Sequence, residues 1–203
     1  MIIYRTLTEH DVAAYRALRL TALLVDADAF GSTYDEEVGM MDRDIAGRLR
    51  PDNHKMVIGA FDGETLVGLV GIYADMKVKL CHKGNIWGMF VMPDYRGRGI
   101  GKALLREAIV RAGAMEKIEQ LNLCVVSENV AAKNLYLSLG FQIFGFEKHA
   151  MKVGHGKYVD EDHLVLFLWK SNTIFNFQFS FSGIIIWNSQ LRIIYFLESP
   201  ITS

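Results

Sequence analysis

Apolar positions in the first part of the chain change period several times. Residues 2–7 read as a short strand, and residues 56–61 and 66–73 read as two more. Between the first and second of these, Val12, Tyr15, Leu18, Leu23 and Leu24 mark a helix. Thr8-Glu-His-Asp11 opens it as a capping box, with Asp in place of the usual Glu. Residues 26–34 read as a loop, and a second helix is expected from Glu36 toward Leu49. Asp62-Gly63 is the expected hairpin turn. Residues 86–92 form a central strand. After it, Ile100, Leu104, Leu105, Ala108, Ile109 and Ala112 fall on one helical face. Residues 118–126, 141–146 and 164–169 supply later strands. Two helices, a hairpin and then alternating strands and helices predict a mixed sheet with helices on both faces.

The pattern changes at Lys170. No charged residue occurs in residues 171–191, and Phe175, Phe177, Phe179 and Phe181 alternate with polar residues at strand period. Residues 184–187 and 193–197 are further apolar runs. Polar residues and Gly183 interrupt the stretch too often for a transmembrane helix. Three readings stay open for residues 170–203: added strands packed on the domain or on a partner chain, an interaction segment, or an accidental extension. A homodimer through this tail is the one assembly the sequence suggests. Exposed, the tail would be an aggregation hazard.

Composition narrows the function classes. A chain of 203 residues can bury one sizeable core. The net charge of −1 gives no global pull toward nucleic acid or an anionic membrane, and neither is expected as a partner. Cys81 and Cys124 make no disulfide framework and have no zinc-spaced partners; they read as small buried hydrophobes. No metal site is expected. The N-terminus reaches Arg5, Glu9 and Asp11 too soon for a signal peptide, which predicts the cytoplasm.

The candidate chemistry begins where the central strand runs into Arg96-Gly-Arg-Gly-Ile-Gly-Lys102. A strand, a glycine turn and a helix start aim backbone N–H groups at an anion. Gly97, Gly99 and Gly101 keep side chains out of the way, while Arg96, Arg98 and Lys102 add positive charge. This points to a phosphorylated cofactor. A P-loop is excluded, because Ala103 follows Lys102 where a Ser or Thr would hold magnesium. A dinucleotide fingerprint is excluded too: the third glycine would fall at Lys102 or Leu104.

The spacing that fits is Arg96-x-x-Gly99-x-Gly101, followed downstream by Asn129, Ala132, Leu135-Tyr136 and Gly140-Phe141. Together these resemble the two halves of the acetyl-CoA site of the GNAT N-acetyltransferase superfamily. The resemblance covers residues 1–169. It implies the acyl-CoA N-acyltransferase fold, an α/β (α+β mixed) architecture with a mostly antiparallel mixed sheet splayed at the cofactor site. It implies acetyl-CoA as acetyl donor and a small-molecule or peptide amine as acceptor, joined by direct attack in a ternary complex. On the same resemblance, Phe90 and Val91 offer backbone groups to the pantetheine arm. Residues 96–102, Ile100 included, take the pyrophosphate, and Asn129 lies by the thioester. Tyr136 is the general acid for the departing thiolate. Read alone, Tyr136 is a core tyrosine and Asn129 a helix cap, with Ser127 an alternative cap.

The general base has no such assignment. Relatives carry a carboxylate on the strand before the glycine turn, but residues 84–91 hold none. Asp35, Glu36 and Glu37 are candidates by location, against a reading as a helix N-terminus favoured by the dipole. Phe30, Tyr34, Tyr73 and Trp87 are expected in the acceptor groove or as core and rim residues. The missing carboxylate keeps a second class open, a CoA-binding sensor without turnover.

Overall fold

A single seven-stranded sheet runs through the residues that the computed structural model describes, 1–154 and 156–168. The tail, residues 170–203, and the strand end at Trp169 lie outside them. β1 (Ile2–Thr6) leads through a short turn into α1 (Val12–Val25), α2 (Tyr34–Val38) and α3 (Asp42–Leu49). β2 (Lys55–Asp62), β3 (Thr65–Ala74) and β4 (Lys83–Val91) form a meander. α4 (Ile100–Ala114), β5 (Gln120–Val126) and α5 (Val130–Leu137) follow, and β6 (Gln142–Lys152) with β7 (Tyr158–Phe167) closes the described residues. The strand order is β1-β2-β3-β4-β5-β7-β6. β4 and β5 are parallel, and every other pair is antiparallel. The expected mixed, mostly antiparallel sheet is therefore observed.

Each face of the sheet carries its own core. Tyr15, Leu18 and Ala22 of α1 and Ile45 and Leu49 of α3 pack on Phe61, Leu66 and Leu69. Leu104, Leu105, Ala108 and Ala112 of α4 pack on Val67, Val70, Ile72 and Leu121. β3 feeds both cores, which is why residues 66–72 read as one apolar run without alternation.

Local chemistry sets the boundaries. Thr8 and Asp11 form the expected capping box, and Arg5 clamps the Asp11 carboxylate at 2.6 and 2.8 Å. The hairpin turn is shifted by one residue from the expectation. Asp62 pairs with Thr65, so Gly63 and Glu64 make the turn, with Gly63 at φ +59°. Positive φ at the first turn position is the glycine site of a type II′ hairpin. The single helix expected over residues 36–49 is two. Gly39, a poor helix former, ends α2, and α3 restarts at Asp42. The final hairpin is longer than expected, because polar residues in 147–163 mask its strand period.

A buried charge cluster ties α1, α2 and α3 together. Glu37 receives Arg19 at 2.7 and 3.1 Å and Arg48 at 3.0 Å, and Arg48 also donates to the Tyr15 hydroxyl at 3.1 Å. Burial pushes the Glu37 carboxyl up, but the two guanidinium groups outweigh it and hold it below the usual carboxylate range. Replacing Glu37 by Gln leaves two arginines sharing no carboxylate in the interior. Breaking such a cluster costs about 3–5 kcal/mol, so Glu37→Gln is expected to lower the urea midpoint by that equivalent. A carboxyl with a depressed folded pKa adds stability above its unfolded pKa and loses it as pH falls through the folded value. The gap between wild type and variant should therefore narrow on acidification; urea melts across the acid range check both statements.

Candidate active site

The site starts where two strands part. β4 and β5 pair only at Lys83–Gln120, Gly84–Leu121 and Asn85–Asn122. Beyond Asn85, β4 is bent by a bulge: Leu69 faces Phe90 and Gly71 faces Trp87, with Gly88 at φ +64° taking up the extra residue. The Trp87 indole lies where a side chain on Gly71 would stand, 2.1 Å from an added Cβ. A groove of about 430 Å³ opens between residues 86–91 and 123–126 and reaches the start of α4.

The glycine turn closes one end of this groove. Gly97 and Gly99 have φ of +74° and +78°, a conformation that side-chain-bearing residues rarely adopt. Gly99 is the N-cap of α4 and supplies no side-chain cap. Among the described residues, no acceptor meets the amide N–H groups of residues 97–102. A helix start with uncapped donors and a partial positive charge is an anion cradle. Lys102 lines the same end. Arg96 is committed elsewhere: it donates to the Val91 carbonyl at 2.9 Å and to Asp26 at 2.6 Å, with its guanidinium over the Phe90 ring. It braces the turn as well as adding charge.

The groove wall gathers Phe90, Val91, Arg96, Gly97, Gly99, Ile100, Gly101, Lys102, Asn129 and Tyr136. Arg98 alone among the residues expected at the cofactor and the departing thiolate is not on it; its guanidinium lies 5.1 Å from the Tyr95 ring centre. Asn129 caps α5, its Oδ1 accepting from the Ala132 N–H at 3.1 Å. Tyr136 is buried, edge-on to Phe141, and its hydroxyl lies 3.7 Å from the Met89 sulfur. Burial pushes its pKa up to about 12, so the phenol keeps its proton.

A second pocket of about 510 Å³ adjoins the groove and shares Phe30, Trp87, Gly88 and Cys124 with it. Phe30, Trp87 and Tyr73 line it as expected, and Tyr34 does not. Asp35, Glu36 and Glu37 line neither pocket; they sit in the first turn of α2, as the helix N-terminus reading expects. Asp35 is exposed, Glu36 accepts from the Thr33 N–H at 2.7 Å, and Glu37 is locked by Arg19 and Arg48. In their place stand Glu161 and His163 of β7, which the sequence reading missed. Asp160-Glu-Asp-His163 carries no apolar alternation, so its polarity hides the strand. Burial pushes the Glu161 carboxyl up, against the opposing pull of His163 and with nearby Glu147 adding to the rise. The cysteines are a correction: Cys81 is half-buried and Cys124 exposed. Leu121, Leu123 and Val125 take the core side of β5, leaving Asn122 and Cys124 facing the second pocket.

Comparison with known proteins agrees with this geometry. Residues 19–141 match the family described as the acetyltransferase (GNAT) family. An N-alpha-acetyltransferase RimI from Mycobacterium tuberculosis is 38% identical over 104 residues, spanning 51% of this chain and 61% of that protein. The crystal structure of an acetyltransferase of the GNAT family from Streptococcus pneumoniae superposes with a TM-score of 0.76 at 25% identity, over 82% of this chain and 99% of that one. A phosphinothricin acetyltransferase from Sinorhizobium meliloti, solved with acetyl-CoA, shares the fold at 20% identity, with a TM-score of 0.71 over 84% and 90% of the two chains.

The cradle makes a prediction of its own. Inorganic pyrophosphate should raise the Tm, and the rise should shrink as salt is added. A side chain at Gly101 would project between Met89 and Leu135 at ordinary contact distances. Gly101→Val is therefore expected to fold and to lose the pyrophosphate effect, as read by thermal melts with and without the anion.

Proposed function

This chain belongs to the GNAT acetyltransferase family, and on that premise we propose that it is an N-acetyltransferase. It moves the acetyl group of acetyl-CoA to a primary amine of a small molecule or peptide by direct attack in a ternary complex. The observation that carries this reading is the open wedge between β4 and β5, with the uncapped start of α4 at one end and Tyr136 on its wall. The amides of residues 97–102, with Lys102, hold the pyrophosphate. The parted edges of β4 and β5 receive the pantetheine arm beside Phe90 and Val91. Bound there, acetyl-CoA supplies an activated acyl group.

The protein's own residues do the rest. The groove fixes the carbonyl and excludes water from its buried side, and the second pocket brings the amine to it. Asn129 holds the start of α5, which carries Tyr136 at the groove wall. Tyr136 keeps a proton on its hydroxyl for the departing thiolate. Free Cys81 and Cys124 suit the cytoplasm. Among the described residues, no helix is long and apolar enough to cross a membrane.

The test pairs binding with turnover. Acetyl-CoA should raise the Tm well above ATP or NAD, by about 2.7 kcal/mol of added stability at a hundredfold excess over Kd. Thiol release is then followed with a panel of amino acids, polyamines and peptide N-termini. Equal Tm shifts with all three nucleotides would remove the acetyl-CoA reading, and specific binding without any thiol release would return the chain to the sensor reading. Tyr136→Phe keeps the ring and its packing but loses the transferable proton. Turnover should fall by about 10²–10⁴-fold with acetyl-CoA affinity little changed. An acyl donor with a more acidic thiol should suffer less.

A further inference from the structure

Three residues on three neighbouring strands stand in line beside the groove. The Cys124 sulfur of β5 is 3.2 Å from Nδ1 of His163 on β7, and Nε2 of His163 is 3.1 Å from a Glu147 oxygen on β6. The sheet register makes this alignment, because Cys124 pairs with His163, and Glu147 lies across from Glu161, the neighbour of His163 on the same face. Gly145, the residue opposite His163, leaves the imidazole room: an added Cβ there would sit 3.5 Å from the His163 side chain. The Phe144 ring meets the imidazole edge-on at 6.0 Å. With Nε2–H donating to the Glu147 carboxylate, Nδ1 is left to accept the thiol proton. Nucleophile, base and orienting carboxylate within hydrogen-bond reach of one another is the arrangement of an activated nucleophile. Cys124 is exposed and lines both the groove and the second pocket.

We propose that Cys124 is a second acetyl acceptor of this site, loaded from acetyl-CoA by thioester exchange with His163 as base and Glu147 as its orienting group. This rests on the acetyl-CoA reading of the groove. The Cys124 sulfur bonds to the acetyl carbon while the bond from that carbon to the CoA sulfur breaks. His163 takes the thiol proton, and CoA leaves as its thiol with the proton that Tyr136 gives and His163 replaces. One thioester is exchanged for another, so no oxidant or energy source is needed and CoA can take the acetyl group back. Cys124 is exposed, but partial desolvation at the pocket wall and the carboxylates of Glu161 and Glu147 push its thiol up, so the resting group is the thiol and loading depends on His163. The groups facing Cys124 and His163 are thus Glu147 of β6 and Glu161 of β7, with Arg19 of α1 lining the same pocket but paired with Glu37.

The experiment incubates the full chain with acetyl-CoA and no amine, and follows intact mass and peptide mass. The expected result is one acetyl group on Cys124, removed by neutral hydroxylamine and by excess CoA. Cys81 should stay unmodified, since chemical acetylation would reach both thiols. Cys124→Ala should show no adduct, and His163→Gln should slow loading by about 10²-fold while acetyl-CoA still raises the Tm. A Tm rise with acetyl-CoA but no adduct on Cys124 overturns this proposal and leaves the reading of the groove standing. Equal labelling of Cys81 and Cys124, or full-rate loading of His163→Gln, overturns it as well. Neither a Tm rise nor an adduct overturns the groove reading and this proposal together.

Discussion

The parallel pairing of β4 with β5 stops after Asn85 and Asn122, and most of what is distinctive here follows from that stop. Two strands that part in the middle of a sheet leave backbone N–H and C=O groups without a ladder partner, and such groups demand others. The Val91 carbonyl finds Arg96. The remainder of the gap is a slot lined by main-chain groups and apolar side chains, suited to an extended arm carrying amides. The bulge at Gly88 and the flat packing of Trp87 over Gly71 hold β4 in its bent course. The glycine turn exists because β4 must hand over to α4 at the mouth of the slot.

The wedge also explains where charge is buried. A sheet opened at its centre cannot be braced from the open side, so the first three helices brace it from one face. Arg19, Glu37 and Arg48 knit α1, α2 and α3 under that face, and the Arg19 and Arg48 guanidinium groups lie over the Phe30 and Trp87 rings. Phe30 and Trp87 belong to the second pocket. The charge cluster thereby links helix packing to the walls of the second pocket. Buried ion clusters are poor sources of stability against an apolar alternative but costly to break, which suits a role in fixing geometry.

The glycine turn and the helix behind it were legible because they are local. Arg96, Gly99 and Gly101 lie within one turn, and Ile100 through Ala112 repeats at helical period. Asn129 and Tyr136 were legible for the same reason, lying on one short helix at fixed offsets. The second pocket was not legible, because it is built across strands. Cys124, His163 and Glu147 are far apart in the chain and meet only through the β5-β7-β6 order. The polar run at 160–163 conceals strand period, and the bulge at residues 148–150, with His149 at φ +57°, shifts register between β6 and β7. That Glu37 turns inward to Arg19 and Arg48 was not legible for a related reason: proximity to a helix start says nothing about which side chains are buried.

Burial at Tyr136 sets a condition on the proposed chemistry. A phenol with a pKa of about 12 gives its proton unwillingly to a thiolate whose pKa in water is about 8.5. At 1.36 kcal/mol per pK unit the transfer would be uphill by about 5 kcal/mol if the thiolate were hydrated. It becomes favourable only if the leaving sulfur is desolvated as well, since burial raises a thiol as it raises a phenol. A sulfur departing on the buried side of the slot would lie closer in acidity to Tyr136 than one reaching solvent. On the proposed role of Tyr136, the burial that the wedge wall imposes on its hydroxyl therefore bears on the proton transfer as well as on where the donor would bind.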